Sequence, residues 1–214
     1  MYMTRLELDL SNRNTRKALT APAMLHGAVE QGFSGERRRR LWRVDELNGR
    51  CYLLIVSEDM PDLVSAAAQF APEGATWETR NYDAFLSAIT TGSRWRFRLA
   101  ANPTISHAEP NNPRGKVYAH VTVQQQKQWL MDRAETHGFR LREDDFDVTR
   151  RGVLSFAKGS QRQHVTLGYC VFDGTLEVTD AALLRQALTE GLGRGKAYGL
   201  GMLTLARIKE SANE

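Results

Sequence analysis

Cysteine is scarce in this chain: of 214 residues only Cys51 and Cys170 are thiols, and neither has metal-ligand spacing to another cysteine or histidine. That excludes a zinc site and leaves two thiols expected to be buried in strands. No apolar run approaches the roughly 20 residues that cross a bilayer. The chain opens on alternating polar and apolar residues, lacking the basic-then-apolar pattern of a signal peptide. No membrane partner is expected, and residence in the cytoplasm is. A strong charge of one sign is missing too. The 29 basic and 25 acidic residues give a net charge of only +4, so any nucleic-acid site has to be a local patch.

The basic residues do cluster. Arg37, Arg38, Arg39 and Arg40 form an unbroken run extended by Arg43; Arg94, Arg96 and Arg98 alternate; Arg140, Arg142, Arg150 and Arg151 follow. Nearly all are arginine, whose planar donor fork matches phosphate and whose face stacks on bases. Arg194 and Lys196 lie in Gly191-Leu192-Gly193-Arg194-Gly195-Lys196-Ala197-Tyr198-Gly199-Leu200-Gly201, which runs into the apolar segment 202–206. Without Cβ atoms such a backbone can take positive φ and turn successive N–H groups toward an anion. It is not a Walker A loop, because Glu190 stands where the first glycine is needed and Ala197 follows the lysine. It is not a dinucleotide fingerprint either, since a strand and a short tail follow it. The plain alternative is a tight connection before a last strand.

Periodicity predicts a half-buried strand over 2–10, with Leu6, Leu8 and Leu10 on one face, and a helix over 21–31 with Pro22 in its first turn. Strands at 41–44 and 51–56 flank Asn48-Gly49, a strong hairpin signal. A small-residue helix over 63–70, a linker and a strand over 94–99 complete the order βαββαβ. After a Pro- and Asn-rich linker at 102–113 the order recurs: a strand over 117–123, a helix over 124–136 stopped at Gly138, strands over 148–156 and 165–172, a helix over 181–190 capped by Asp180, and a last strand over 202–208. The fold class predicted is α+β, two tandem ferredoxin-like (RRM-like) domains, residues 1–104 and 105–214.

The glycine-rich loop resembles the C-terminal signature of the CRISPR repeat-processing endoribonucleases: Gly, hydrophobic, Gly, five residues with at least one basic, Gly, hydrophobic, Gly. Three further stretches resemble one branch, the CasE family of type I-E systems. They are Met1-Tyr2-Met3-Thr4-Arg5-Leu6, Leu25-His26 through Phe33 to Leu41-Trp42-Arg43, and Arg96-Phe97-Arg98-Leu99-Ala100-Ala101-Asn102-Pro103. The resemblance implies a site-specific endoribonuclease that needs no metal and no cofactor. Its partners would be the stem-loop repeat of CRISPR precursor RNA and the other subunits of a Cascade complex. It would cut by 2′-hydroxyl attack, leave a 2′,3′-cyclic phosphate, and keep the mature crRNA bound. The lack of any paired-carboxylate cluster or zinc spacing agrees.

Cutting RNA this way requires a base for the 2′-hydroxyl, cations for the phosphorane and an acid for the leaving 5′-oxygen. Of five histidines only His26 stands at the family's catalytic position, on the first predicted helix beside Leu25 and Val29 and four residues before Glu30. The chain departs from its relatives at Ala23, where a tyrosine is frequent, at Gln31, where a cation occurs, and at Ala100, where an arginine is usual. A second catalytic group is sought in Tyr2, Ser34, Arg37 or the glycine-rich loop. RNA contacts are expected from Arg38, Arg39, Arg40, Arg96, Arg98, Gly193, Arg194, Gly195, Lys196 and Gly199. A subunit that holds an RNA hairpin without cutting it is the alternative, made credible by Ala23. A scaffold using its sheets only for protein contacts is a third reading.

Overall fold

The computed structural model describes residues 1–36, 38–109, 112–158 and 163–208. Its first sheet contains β1 (Tyr2–Leu8), β2 (Leu41–Leu47), β3 (Arg50–Ser57) and β4 (Glu78–Asn81), antiparallel throughout, in the order β2-β3-β1-β4. Helices α1 (Arg13–Thr20), α2 (Ala23–Gln31) and α3 (Val64–Phe70) pack on one another. They cover Leu6, Leu8, Leu53 and Ile55 with Leu25, Val29, Leu63 and Phe70. The hairpin forms as the sequence implies, with Asn48 at φ 53° and Gly49 at φ 74° turning β2 into β3. Leu10 lies beyond the strand and is half exposed, so it does not extend the apolar face of β1.

A short helix α4 (Asp83–Ser87) leads into the second sheet, built from β5 (Arg94–Ala101), β8 (Phe139–Arg140), β10 (Gln163–Val178) and β11 (Leu203–Arg207). Their order is β11-β5-β10-β8, with β9 (Phe146–Lys158) paired along β10. Helix α5 (Val123–Ala134) joins β5 to β8 and α6 (Ala181–Glu190) joins β10 to β11, while β6 (Thr104–Glu109) and β7 (Asn112–Ala119) form a separate hairpin. Numbering the core strands of each unit one to four gives the order 4-1-3-2 twice, the ferredoxin-like arrangement. Trp95, Phe97 and Leu99 of β5 meet Trp129, Leu130, Phe172, Leu184 and Leu188 in the second core.

Two assignments are corrected. The strand predicted over 94–99 is not the fourth strand of the first unit. It pairs with β10 and β11 as the first strand of the second unit, and the division expected after residue 104 moves ahead of it. The fourth strand of the first unit is β4, whose Glu-Thr-Arg-Asn sequence is mostly exposed and has no alternation to reveal it. Accordingly, of the strand predicted over 117–123, residues 117–119 end β7 of the β6–β7 hairpin, and Val123 already opens α5. The sequence also gives no apolar sign of α1, which is capped by the Asn12 side chain accepting from Asn14 N–H, 2.8 Å.

Both cysteines are buried and free, and burial pushes the Cys170 thiol up to about 12. Among the described residues no helix is long and apolar enough to cross a membrane.

Arg43 joins the two sheets. It lies on β2, 3% exposed, and its guanidinium forks onto the Asp45 carboxylate (Nε to Oδ1, 2.8 Å). It also donates to the carbonyl oxygens of Arg98 (3.1 Å) and Met202 (2.6 Å) and to Thr204 Oγ1 (2.8 Å). A residue read in the sequence as the extension of a basic run is therefore an internal clamp.

Candidate active site

Helix α2 carries His26 one step from the buried stripe of Leu25, Ala28 and Val29, so the imidazole borders the core. Its Nδ1 is shielded from solvent, while the ring lines a cavity of about 360 Å³. Three stretches far apart in sequence build that cavity: His26 and Glu30 from α2, Arg38, Arg39 and Arg40 from the segment before β2, and Lys196 and Ala197 from a 3-10 turn, Lys196–Tyr198, in the glycine-rich loop. The turn packs directly against α2 and β2.

The arginines differ in what they have left to offer. Arg40 is buried; its Nη1 donates to Glu30 Oε2 at 2.9 Å, and its guanidinium lies 4.2 Å over the Phe33 ring. It shapes the wall of the cavity and holds Glu30. Arg38 donates to Glu58 at 2.8 Å from an exposed position, a pair that competing phosphate can open. Arg39 is exposed and, among the described residues, forms no ion pair. Arg37 lies outside the described residues.

The loop is a folded object rather than an open cradle. Leu192 N–H donates to the Gly201 carbonyl (2.8 Å), Gly201 N–H to Ala100 (2.6 Å), and Tyr198 and Leu200 N–H to Gly195 (2.8 and 3.3 Å). Several amides expected to face an anion are thus spent within the loop or on β5. Gly199 has φ 78°, and a Cβ there would come 2.8 Å from the Trp42 ring, so this glycine seats the loop on β2. Gly199→Ala is expected to lose about 2–4 kcal/mol of stability from left-handed strain and overpacking. Thermal unfolding of the purified variant checks this, and an unchanged midpoint would refute it.

Lys196 stands partly buried between these walls. Burial, and then the neighbouring Arg39 guanidinium, hold its ammonium below the ordinary lysine range, with Glu190 opposing. On the loop's other side Gly193 and Arg194 are exposed and line a second cavity of about 210 Å³ with Thr104, Ser106, Val117, Trp129 and Arg133. Gly195 lies between the two, at φ 85°.

Other predicted residues lie elsewhere. Tyr2 is on β1 opposite Ser57 and Asn81 and does not line the His26 cavity. Ser34 lines an adjacent cavity that shares Arg38. On β5, Arg94 pairs with Asp145 (3.1 Å) and Arg98 forks onto Asp173 (2.6 and 3.2 Å), whereas Arg96 is exposed and forms no ion pair among the described residues. The sequence reading missed that Lys196 shares one cavity with His26. Only the family position of His26 and the cation in the loop pointed toward it.

Residues 1–207 match the protein family described as CRISPR associated protein. The chain is 32% identical, over 226 aligned residues, to the CRISPR-associated endoribonuclease Cse3 of Thermus thermophilus, covering 96% of this chain and 100% of that protein. It is similar to the solved structure of the CRISPR endoribonuclease Cse3 bound to a 19-nucleotide RNA, with a TM-score of 0.80 and 28% identity, covering 97% of this chain and 100% of that one. It is similar also to a chain of a CRISPR RNA-guided surveillance complex in a pre-nicking state, with a TM-score of 0.70, 26% identity and coverage of 97% and 100%.

Proposed function

The chain belongs to the CRISPR-associated protein family matched by residues 1–207, and from that membership we propose that it is an endoribonuclease that processes CRISPR precursor RNA. It grips the stem-loop repeat, cuts it once by attack of a 2′-hydroxyl, and keeps the product within a Cascade-type complex in the cytoplasm. A relative named as an endoribonuclease, a similar Cse3 structure bound to RNA and a similar chain in an RNA-guided surveillance complex support the cleavage of RNA and the assembly into a complex.

The observation that carries the reading is the cavity in which His26 meets Arg39 and Lys196. With Nδ1 shielded, proton exchange with a substrate falls to Nε2, and an imidazole can take the 2′-hydroxyl proton near neutral pH. The cations stabilise charge developing on the phosphorane. Glu30, the carboxylate on this wall, is held by Arg40. The donor set therefore suits proton transfer and charge stabilisation by side chains, and we take the reaction to need no metal. Holding the RNA in line supplies a further large share of the barrier reduction.

Duplex RNA hides its base edges in a deep groove, so Arg38, Arg39, Arg96 and Arg194 read shape and phosphate, and affinity falls as salt rises. Ala23 favours one rival, a subunit that holds the hairpin uncut. Incubating purified protein with a repeat hairpin in excess EDTA separates the two. A single cut leaving a 5′-hydroxyl and a 2′,3′-cyclic phosphate is expected, and tight binding without a cut would select the rival.

A further inference from the structure

With the scissile phosphate in the His26 cavity, as the proposed function has it, we propose that Lys196 is a second catalytic residue, its ammonium delivering the proton to the departing 5′-oxygen while His26 takes the proton of the 2′-hydroxyl. The two side chains line one cavity from two elements, α2 and the loop, and the loop that carries Lys196 is closed by the Leu192–Gly201 hydrogen bond and seated on Trp42 through Gly199. The stem of Lys196 is pressed against Gly201, where a Cβ would stand 3.2 Å from its Cγ. Such a lysine is positioned rather than merely present.

The charged groups facing it leave few other donors. His26 and Glu30 approach from α2, Arg38, Arg39 and Arg40 from the segment before β2, and Glu190 from the end of α6. Glu30 accepts from Arg40, and an arginine does not release a proton. Lys196 is the other described group of the wall that can carry a proton and give it up. Its burial and the nearness of Arg39 make that release easier, the direction an acid requires. It supplies what Ala23 lacks.

The step balances. The 2′-oxygen forms the new bond to phosphorus as the bond from phosphorus to O5′ breaks, its electron pair passing to O5′. That oxygen takes the Lys196 proton, the 2′-hydroxyl proton rests on His26, and exchange with solvent restores both groups.

A substrate whose bridging 5′-oxygen is replaced by sulfur tests the role, because a thiolate leaves without a proton. Lys196→Arg keeps the charge and is expected to cut ordinary repeat RNA about 10²- to 10³-fold more slowly in single turnover while still binding it. On the sulfur-bridged RNA it is expected to cut within about threefold of the unaltered protein, whereas His26→Ala stays slow on both. Equal loss on both substrates, or no loss on ordinary RNA, would overturn the assignment and leave Lys196 as a fixed charge. Failure of the unaltered protein to cut either RNA would instead overturn the proposed function.

Discussion

His26→Ala cuts repeat RNA about 10²- to 10⁴-fold more slowly than the unaltered protein and binds it within about threefold of the same affinity. The size of the loss follows from what the imidazole does: it accepts one proton in the transition state and adds little to the grip on a polyanion. Binding rests on cations spread over both units, Arg38 and Arg39 before β2, Arg96 on β5, and Arg194 and Lys196 in the loop. Single-turnover rates are the right measure, since a product that stays bound would mask the chemistry. A variant that cut at the normal rate would remove His26 from the mechanism, and one that lost binding and cleavage together would mark it as a structural residue.

Arg43→Met is expected to cost about 3–5 kcal/mol of unfolding free energy, read as a lower denaturant midpoint at unchanged slope. The methionine fills much of the volume, so the loss is electrostatic. Asp45, 8% exposed, is left as a buried carboxylate without its fork, and the carbonyl oxygens of Arg98 and Met202 lose a donor. Replacing both partners, as Arg43→Met with Asp45→Leu, is expected to recover most of the loss, because a buried ion pair repays little more than its own desolvation. Equal destabilisation of the single and double variants would contradict this and place the cost in the severed carbonyl contacts. Since Arg43 also ties β2 to β5 and β11, weakened cleavage at temperatures where the variant stays folded would show that the clamp aligns the two walls of the cavity.

Local signals carried much of the fold. The hairpin at Asn48-Gly49, the Asp180 cap accepting from Ala182 and Leu183 N–H, and the alternation of Trp95, Phe97 and Leu99 are all written within a few residues and all formed. Choices made between distant segments were not legible. Alternation marks 94–99 as a strand but is silent on its partners, which lie some 70 and 110 residues downstream in β10 and β11. Four polar residues at a sheet edge bury too little to leave a pattern, so β4 went unseen.

The basic patch was misleading for a related reason. Arg40 and Arg43 stand in a run that looks solvent-exposed, yet each is internal because one carboxylate, Glu30 or Asp45, folds against it. The site divides in the same way. His26 was found by its place in a motif, whereas its proximity to Lys196 comes from a loop seated on Trp42, where Gly199 leaves room that a Cβ would take.

Single-turnover cleavage of a repeat hairpin in excess EDTA, with intact RNA beside RNA carrying one 2′-deoxy sugar at the cut site, tests the central claim most directly. Cutting of the intact strand alone, with both strands bound equally, is the predicted result. Cutting of the deoxy strand, or equal binding with neither strand cut, would contradict attack by the 2′-hydroxyl at the His26 cavity.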